Sequence, residues 1–170
     1  RMAPFEKAME QIDDIPGIDI RGAQDILGEI GLDMGQFPNA SHLASWAGVS
    51  PGNNESAGKR KSSRTRHGNR WLRSALVIAA RGAVRSANTY LNAQYRRLAA
   101  RRGDKRAILA IAHTILVTIY NMLRHGTSYQ DMGPDYFDRR DQQATIRRAV
   151  PRIERLGYKV TIRMPEPVFS

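Results

Sequence analysis

Between residues 59 and 73 the chain carries Lys59, Arg60, Lys61, Arg64, Arg66, Arg70 and Arg73, seven cations with no acid among them. No solvated helix face needs that density. The run reads either as a nucleic-acid-binding arm or localisation signal, or as a loop that orders against a nucleic-acid backbone. The strongly helical segment that adjoins it supports the second reading. Just upstream, Ser56 stands in Pro51-Gly52-Asn53-Asn54-Glu55-Ser56-Ala57-Gly58-Lys59. A lone loop serine is nearly always only that. Phosphoryl transfer to a hydroxyl, however, needs positive charge at the non-bridging oxygens and a small-residue loop that admits the backbone, and Ser56 has both beside it. His67 reads as a general base or as a solvated loop histidine. A second basic set, Arg96, Arg97, Arg101, Arg102, Lys105 and Arg106, flanks Gly103 and either extends the same surface or solvates a helix end.

The rest of the composition narrows the chemistry. The chain has 170 residues, 27 Lys+Arg against 16 Asp+Glu, and no cysteine, which excludes disulfide frameworks, thiolate metal sites and cysteine nucleophiles. Four scattered histidines argue against a catalytic zinc. The net charge of +11 is unevenly placed: residues 1–50 hold 3 basic and 8 acidic residues, residues 51–125 hold 16 and 2, and the remainder 8 and 6. The middle third therefore faces a polyanion. No uninterrupted apolar run has the length of a membrane span, so a soluble globular chain without membrane partners is expected.

The elements that must position these residues read as helices, and the expected fold class is all-α. Phe5, Met9 and Ile12 share one face of a helix that ends before Pro16. Ala23, Ile26, Leu27 and Ile30 mark a second helix stopped at Gly31, and Ser41 to Ala47 a third that closes on Gly48. Val49 to Asn69 has no apolar periodicity and reads as a long loop. Helices are expected over about 69–86, 88–100 and 105–123, the last apolar over more than half its circumference and hence the central one. Trp46 and Trp71 fall on apolar helix faces, which favours core packing over base stacking. Beyond Gly126 the chain turns polar: 135–155 reads as helix broken at Pro151, and 158–163 as the one plausible strand.

Ile15-Pro16-Gly17-Ile18 between two short helices resembles a helix-hairpin-helix, whose tight turn offers backbone N–H groups and a helix N-terminus to a phosphate. Gly17 is thus a candidate nucleic-acid contact, although Asp19 stands where the second glycine of such a turn usually is. A merely structural helical hairpin is the other reading.

Taken in order, Ile15-Pro16-Gly17-Ile18, Leu27-Gly28-Glu29-Ile30-Gly31, Phe37-Pro38, Leu43-Ala44-Ser45-Trp46-Ala47-Gly48-Val49-Ser50-Pro51, Ser56-Ala57-Gly58-Lys59 and Gly68-Asn69-Arg70-Trp71-Leu72-Arg73 resemble the C-terminal transposase domain of the insertion-sequence one-ten family, DEDD-type transposases guided by a bridge RNA. The resemblance covers roughly residues 12–126. It implies an all-α compact domain with residues 1–14 as the end of a linker helix, 15–126 as the transposase C-terminal domain and 127–170 as an appendage. It implies that Ser56 attacks DNA and becomes covalently linked to it, with Lys59, Arg60, Lys61, Arg64, Arg66, Arg70 and Arg73 on the nucleic acid. The implied partners are DNA, a guide RNA and further copies of the chain in the prokaryotic cytoplasm. No cofactor is implied for this chain; Mg²⁺ would be held by acids of an N-terminal RuvC-like domain, without which residues 1–170 alone are expected to be inactive. The competing reading is a non-catalytic helix-hairpin-helix module that binds nucleic acid.

Overall fold

The computed structural model describes residues 3–50, the strand backbone of 54–56 and 59–62, and residues 68–163. The chain divides into two compact units, Arg1–Pro134 and Asp135–Ser170. The first contains α1 (Ala3–Asp13), α2 (Ile20–Ile30), a 3-10 turn (Met34–Gln36), α3 (Ala40–Trp46), the short strands β1 (Asn54–Ser56) and β2 (Lys59–Ser62), then α4 (Arg70–Ala83), α5 (Tyr90–Arg102) and α6 (Asp104–His125). The second contains α7 (Tyr136–Arg140) and α8 (Gln142–Glu154). The expectation of an all-α protein holds, with one small antiparallel hairpin added.

The central helix is α6. Ile108, Ile111, Ala112, Ile115, Leu116 and Ile119 recur at helical spacing and are all buried, and the helix packs against α3, α4, α5 and the 3-10 turn. Gly126 ends it in the left-handed conformation (φ 65°), a geometry that costs a β-carbon-bearing residue energy. By length and composition α6 is also apolar enough to cross a membrane, but in this fold its apolar side is covered by the neighbouring helices. A second layer forms where α2 lies between α1 and α4, burying Ile26, Leu27 and Ile30 with Ile12, Leu72 and Leu76. Among the described residues no polar or charged side chain is buried. Among these residues polar chemistry therefore belongs to the surface.

Side-chain caps start α2, α3, α4 and α5. The carboxylate of Asp19 accepts from the Gly22 amide (2.7 Å), Asn39 from that of His42 (3.0 Å), Asn69 from those of Trp71 and Leu72 (2.9 and 3.0 Å), and Thr89 from that of Asn92 (3.2 Å). Each satisfies an N–H that has no partner inside the helix.

Four sequence expectations need correction. The stretch expected to be one long loop contains the β1–β2 hairpin, pairing Asn54 with Ser62, Glu55 with Arg60 and Ser56 with Lys59, with an irregularity between Asn54 and Glu55. Pro151 does not break α8, which continues to Glu154: proline in the final turn forfeits one backbone bond while its own carbonyl still accepts from Arg155 (3.2 Å). Residues 158–163 form no strand. Trp46 and Trp71 are not core residues: their accessible fractions are 42% and 71%.

Candidate nucleic-acid interface

The loop that carries Ser56 is held at its two ends. On the way in, α3 closes on Gly48 (φ 73°), and the amides of Val49 and Ser50 both donate to the Ala44 carbonyl (3.0 and 3.3 Å). Val49 is fully buried and anchors the chain just before the loop. On the way out, Gly68 lies so close to the entering strand that a β-carbon on it would stand 2.3 Å from the Gly48 nitrogen and 2.5 Å from the Ala47 carbonyl carbon. Only glycine allows that approach.

Asn69 completes the clamp with all of its polar atoms. Its backbone N–H donates to the Trp46 carbonyl (3.0 Å), tying α4 to α3. Its side-chain amide donates to Glu29 Oε2 (2.6 Å), tying α4 to α2, while its Oδ1 caps α4. The sequence marked Asn69 only as the end of the long loop and the start of the next helix. Nothing in the sequence showed that the same residue would bridge three helices.

Between the two ends of this base, β1 and β2 are described by their backbone pairing. Ser56 is the last residue of β1 and the Cα partner of Lys59, the first of β2, with Ala57 and Gly58 between them in sequence. Arg60 and Lys61 continue β2. Nothing is described of the side chains of Ser56, Lys59, Arg60 and Lys61, and Arg64, Arg66 and His67 lie outside the described residues altogether. Arg70 and Arg73 lie in the first turns of α4, Arg70 exposed and Arg73 half-buried. The Arg70 guanidinium carbon sits 5.7 Å from the centre of the Trp71 ring, a cation–π distance. Trp46 is braced by Phe37, ring centres 5.8 Å apart, whose carbonyl in turn accepts from the Tyr120 hydroxyl (3.2 Å). Ser45, Trp46, Gly68, Asn69, Arg70 and Trp71 line an open concavity of about 560 Å³ at the mouth of the loop.

Gly17 has a different setting. Its turn (φ 87°) rests on α4, where a β-carbon would stand 2.1 Å from the Ala83 nitrogen and 2.3 Å from the Ala79 carbonyl oxygen; Gly82 faces it from α4. The N-terminus of α2 beside it is closed by Asp19, whose carboxylate occupies the place a phosphate oxygen would take. This arrangement supports the structural reading of the hairpin.

The second basic set surrounds the α5–α6 turn at the other end of α4, with all six side chains exposed. Arg81 and Arg70 are eleven residues apart on α4, about 16 Å at 1.5 Å per residue. Arg81 bonds Asp104 (3.1 Å), and the Tyr95 hydroxyl donates to the same carboxylate (2.9 Å). The Tyr95 hydroxyl first, and Arg81 second, hold the Asp104 carboxyl below its ordinary pKa, while the same bond to Asp104 raises that of Tyr95. On α6, burial lowers the pKa of His113. Among the described residues no three acids or histidines converge as metal ligands.

An all-helical domain that extends a basic, serine-bearing hairpin from a glycine-pinned base can be set beside known proteins. The model described as "Transposase IS116/IS110/IS902 family" matches residues 9–96, just over half of the chain and inclusive of the clamp, Ser56 and the seven cations. The chain belongs to this transposase family. It is 34% identical over 122 residues to the insertion element IS110 uncharacterized 43.6 kDa protein of Streptomyces coelicolor, a match covering 71% of this chain and 30% of that relative's length. No solved structure matches.

Proposed function

We propose that this chain is the part of a DNA transposase that supplies the serine nucleophile for strand cleavage and transfer, with its basic loop binding the backbone of DNA and of a guide RNA. The observation that carries the reading is the clamp: a loop with Ser56 just ahead of five cations, Lys59, Arg60, Lys61, Arg64 and Arg66, leaves a family transposase domain through two glycines in backbone contact, so its ends are fixed relative to the helical core. In the step proposed, Ser56 Oγ loses its proton and bonds to a backbone phosphorus. The bond from that phosphorus to one sugar oxygen breaks, and the sugar oxygen leaves as a hydroxyl carrying a proton. The non-bridging oxygens gain charge on the way, and Lys59, Arg60, Arg64 and Arg66 are the cations set to stabilise it. The phosphoserine linkage conserves the energy of the broken ester, so a second strand's hydroxyl can displace the serine and rejoin the chain.

Attack by several serines on several strands implies more than one copy at the junction, and Mg²⁺ chemistry would come from acids outside this chain. The experiment is to incubate the full-length protein with its DNA and ask for a species that survives denaturation with DNA attached to protein. A non-catalytic binding module gives binding without that species.

A further inference from the structure

The two exposed tryptophans at the mouth of the loop are unexplained by the strand-transfer chemistry. Trp71 is 71% accessible, yet its position is fixed, since its backbone N–H is bonded to Asn69 Oδ1 and Asn69 is itself held by Glu29 and Trp46. Arg70 lies against its ring. Trp46, half-exposed and braced by Phe37, lines the same concavity. Among the described residues that line it none is acidic, and Glu29 is engaged by the side-chain amide of Asn69.

We propose that this concavity is a stacking site for one unpaired nucleobase of the strand bound along the basic loop, with Trp71 as its platform and Trp46 as its wall. The inference rests on the reading that the loop binds a nucleic-acid backbone, and it deepens that reading by naming the state of the strand. An exposed indole with a guanidinium beside it suits a base in two ways. The ring gives a flat apolar face to stack on, and the cation meets the phosphate that accompanies the base. Base faces inside a duplex are covered by their neighbours, so only an extrahelical base, a flap or a single strand can reach Trp71. Stacking is tolerant of sequence, which fits a protein surface with no patterned set of donors and acceptors here. Charge decides against a second copy of the chain as occupant. Residues 51–125 carry 16 basic and 2 acidic residues, and two such faces repel.

The test measures binding of a labelled oligothymidine strand and of a duplex to the full chain across a salt series, for the wild type, Trp71→Ala and Trp71→Phe. Trp71 is a surface residue, so both variants fold. Trp71→Ala is expected to weaken the single strand about 5- to 150-fold, corresponding to one lost stack, leave duplex affinity where it was, and keep the salt slope; Trp71→Phe regains most of the loss. Unchanged single-strand affinity with an intact slope overturns the stacking site and spares the backbone reading. Equal losses on both strand forms overturn it as well, because an unpaired base would then not be what Trp71 holds. A change in sedimentation with no change in affinity assigns the face to a second copy and also overturns it. If the wild type binds neither form, both readings fall.

Discussion

A β-carbon on Gly68 would stand 2.3 Å from the backbone nitrogen of Gly48, so the chain enters and leaves the Ser56 loop through one point of backbone contact. The two glycines are twenty positions apart in sequence, and their contact brings the two ends of that stretch together. The loop can be long and basic without loosening the core, because Val49 and Leu72 are buried just beyond its two ends. Placement of Ser56, the nucleophile proposed above, thus depends on the backbone contact between Gly48 and Gly68.

Gly68→Ala should force the two strands of the base apart. The expected cost is about 1–3 kcal/mol, as for other overpacked contacts, read as a lower midpoint in urea denaturation. An unchanged midpoint would show that the loop base is not the tight contact described.

Gly17→Ala combines a left-handed backbone (φ 87°) with a collision against Ala83 and Ala79, and is expected to cost about 2–5 kcal/mol. Gly28→Ala is the matched control: it lies on α2 with nothing within 4 Å of a new β-carbon, and should add about 0.5–1 kcal/mol of stability. Thermal unfolding of the two variants should move in opposite directions. Movement of Gly17→Ala in the same direction as Gly28→Ala would remove the packing role of the hairpin.

The basic loop predicts a steep salt dependence of nucleic-acid binding, each neutralised phosphate adding about 0.9 to the slope of log K against log salt. Arg64→Ala with Arg66→Ala should flatten that slope by roughly two units without altering helix content by circular dichroism. An unchanged slope would move the binding face to the other end of α4, to Arg96, Arg97, Arg101, Arg102, Lys105 and Arg106.

The Asp104 carboxyl has a folded pKa below its ordinary value of 3.8, because Tyr95 and then Arg81 bond its charged form. The sign follows from linkage: the stabilisation is present above the ordinary value and is lost as pH falls below it, through the depressed folded pKa. Tyr95→Phe removes the largest cause. A carbon-13 titration of the Asp104 carboxyl should therefore move up toward 3.8 in that variant, and an unmoved titration would contradict the hydrogen bond.

Most helices were legible because their apolar residues repeat at helical spacing. Ile108, Ile111, Ile115 and Ile119 fall on one face, and that face is buried. Trp71 was misplaced for a related reason. It sits beside Leu72 in sequence, about 100° round the helix from it, and the buried stripe is Leu72, Leu76, Ala79 and Ala83. Trp71 and Ile78 lie two turns apart on the flank that stripe leaves exposed. The β1–β2 hairpin was invisible because Asn54 to Ser62 has no apolar alternation, and a pairing made by backbone alone leaves no pattern in side-chain types. The clamp is of the same kind. Gly48, Gly68 and Asn69 read singly as a helix stop, a loop residue and the junction of that loop with the next helix, and only their meeting in space makes them one structure.

The most direct measurement of the proposed serine attack is mass-spectrometric mapping of the peptide that carries the DNA remnant after the full-length protein reacts and is digested. The remnant is expected on Ser56, not on Ser62 or Ser63, which stand among the cations and suit phosphate contact. Ser56→Ala should then abolish the adduct while nucleic-acid binding and thermal stability stay close to wild type, since a surface-loop hydroxyl contributes little to folding. An adduct that persists in Ser56→Ala, or a remnant mapped to another residue, would contradict the assignment.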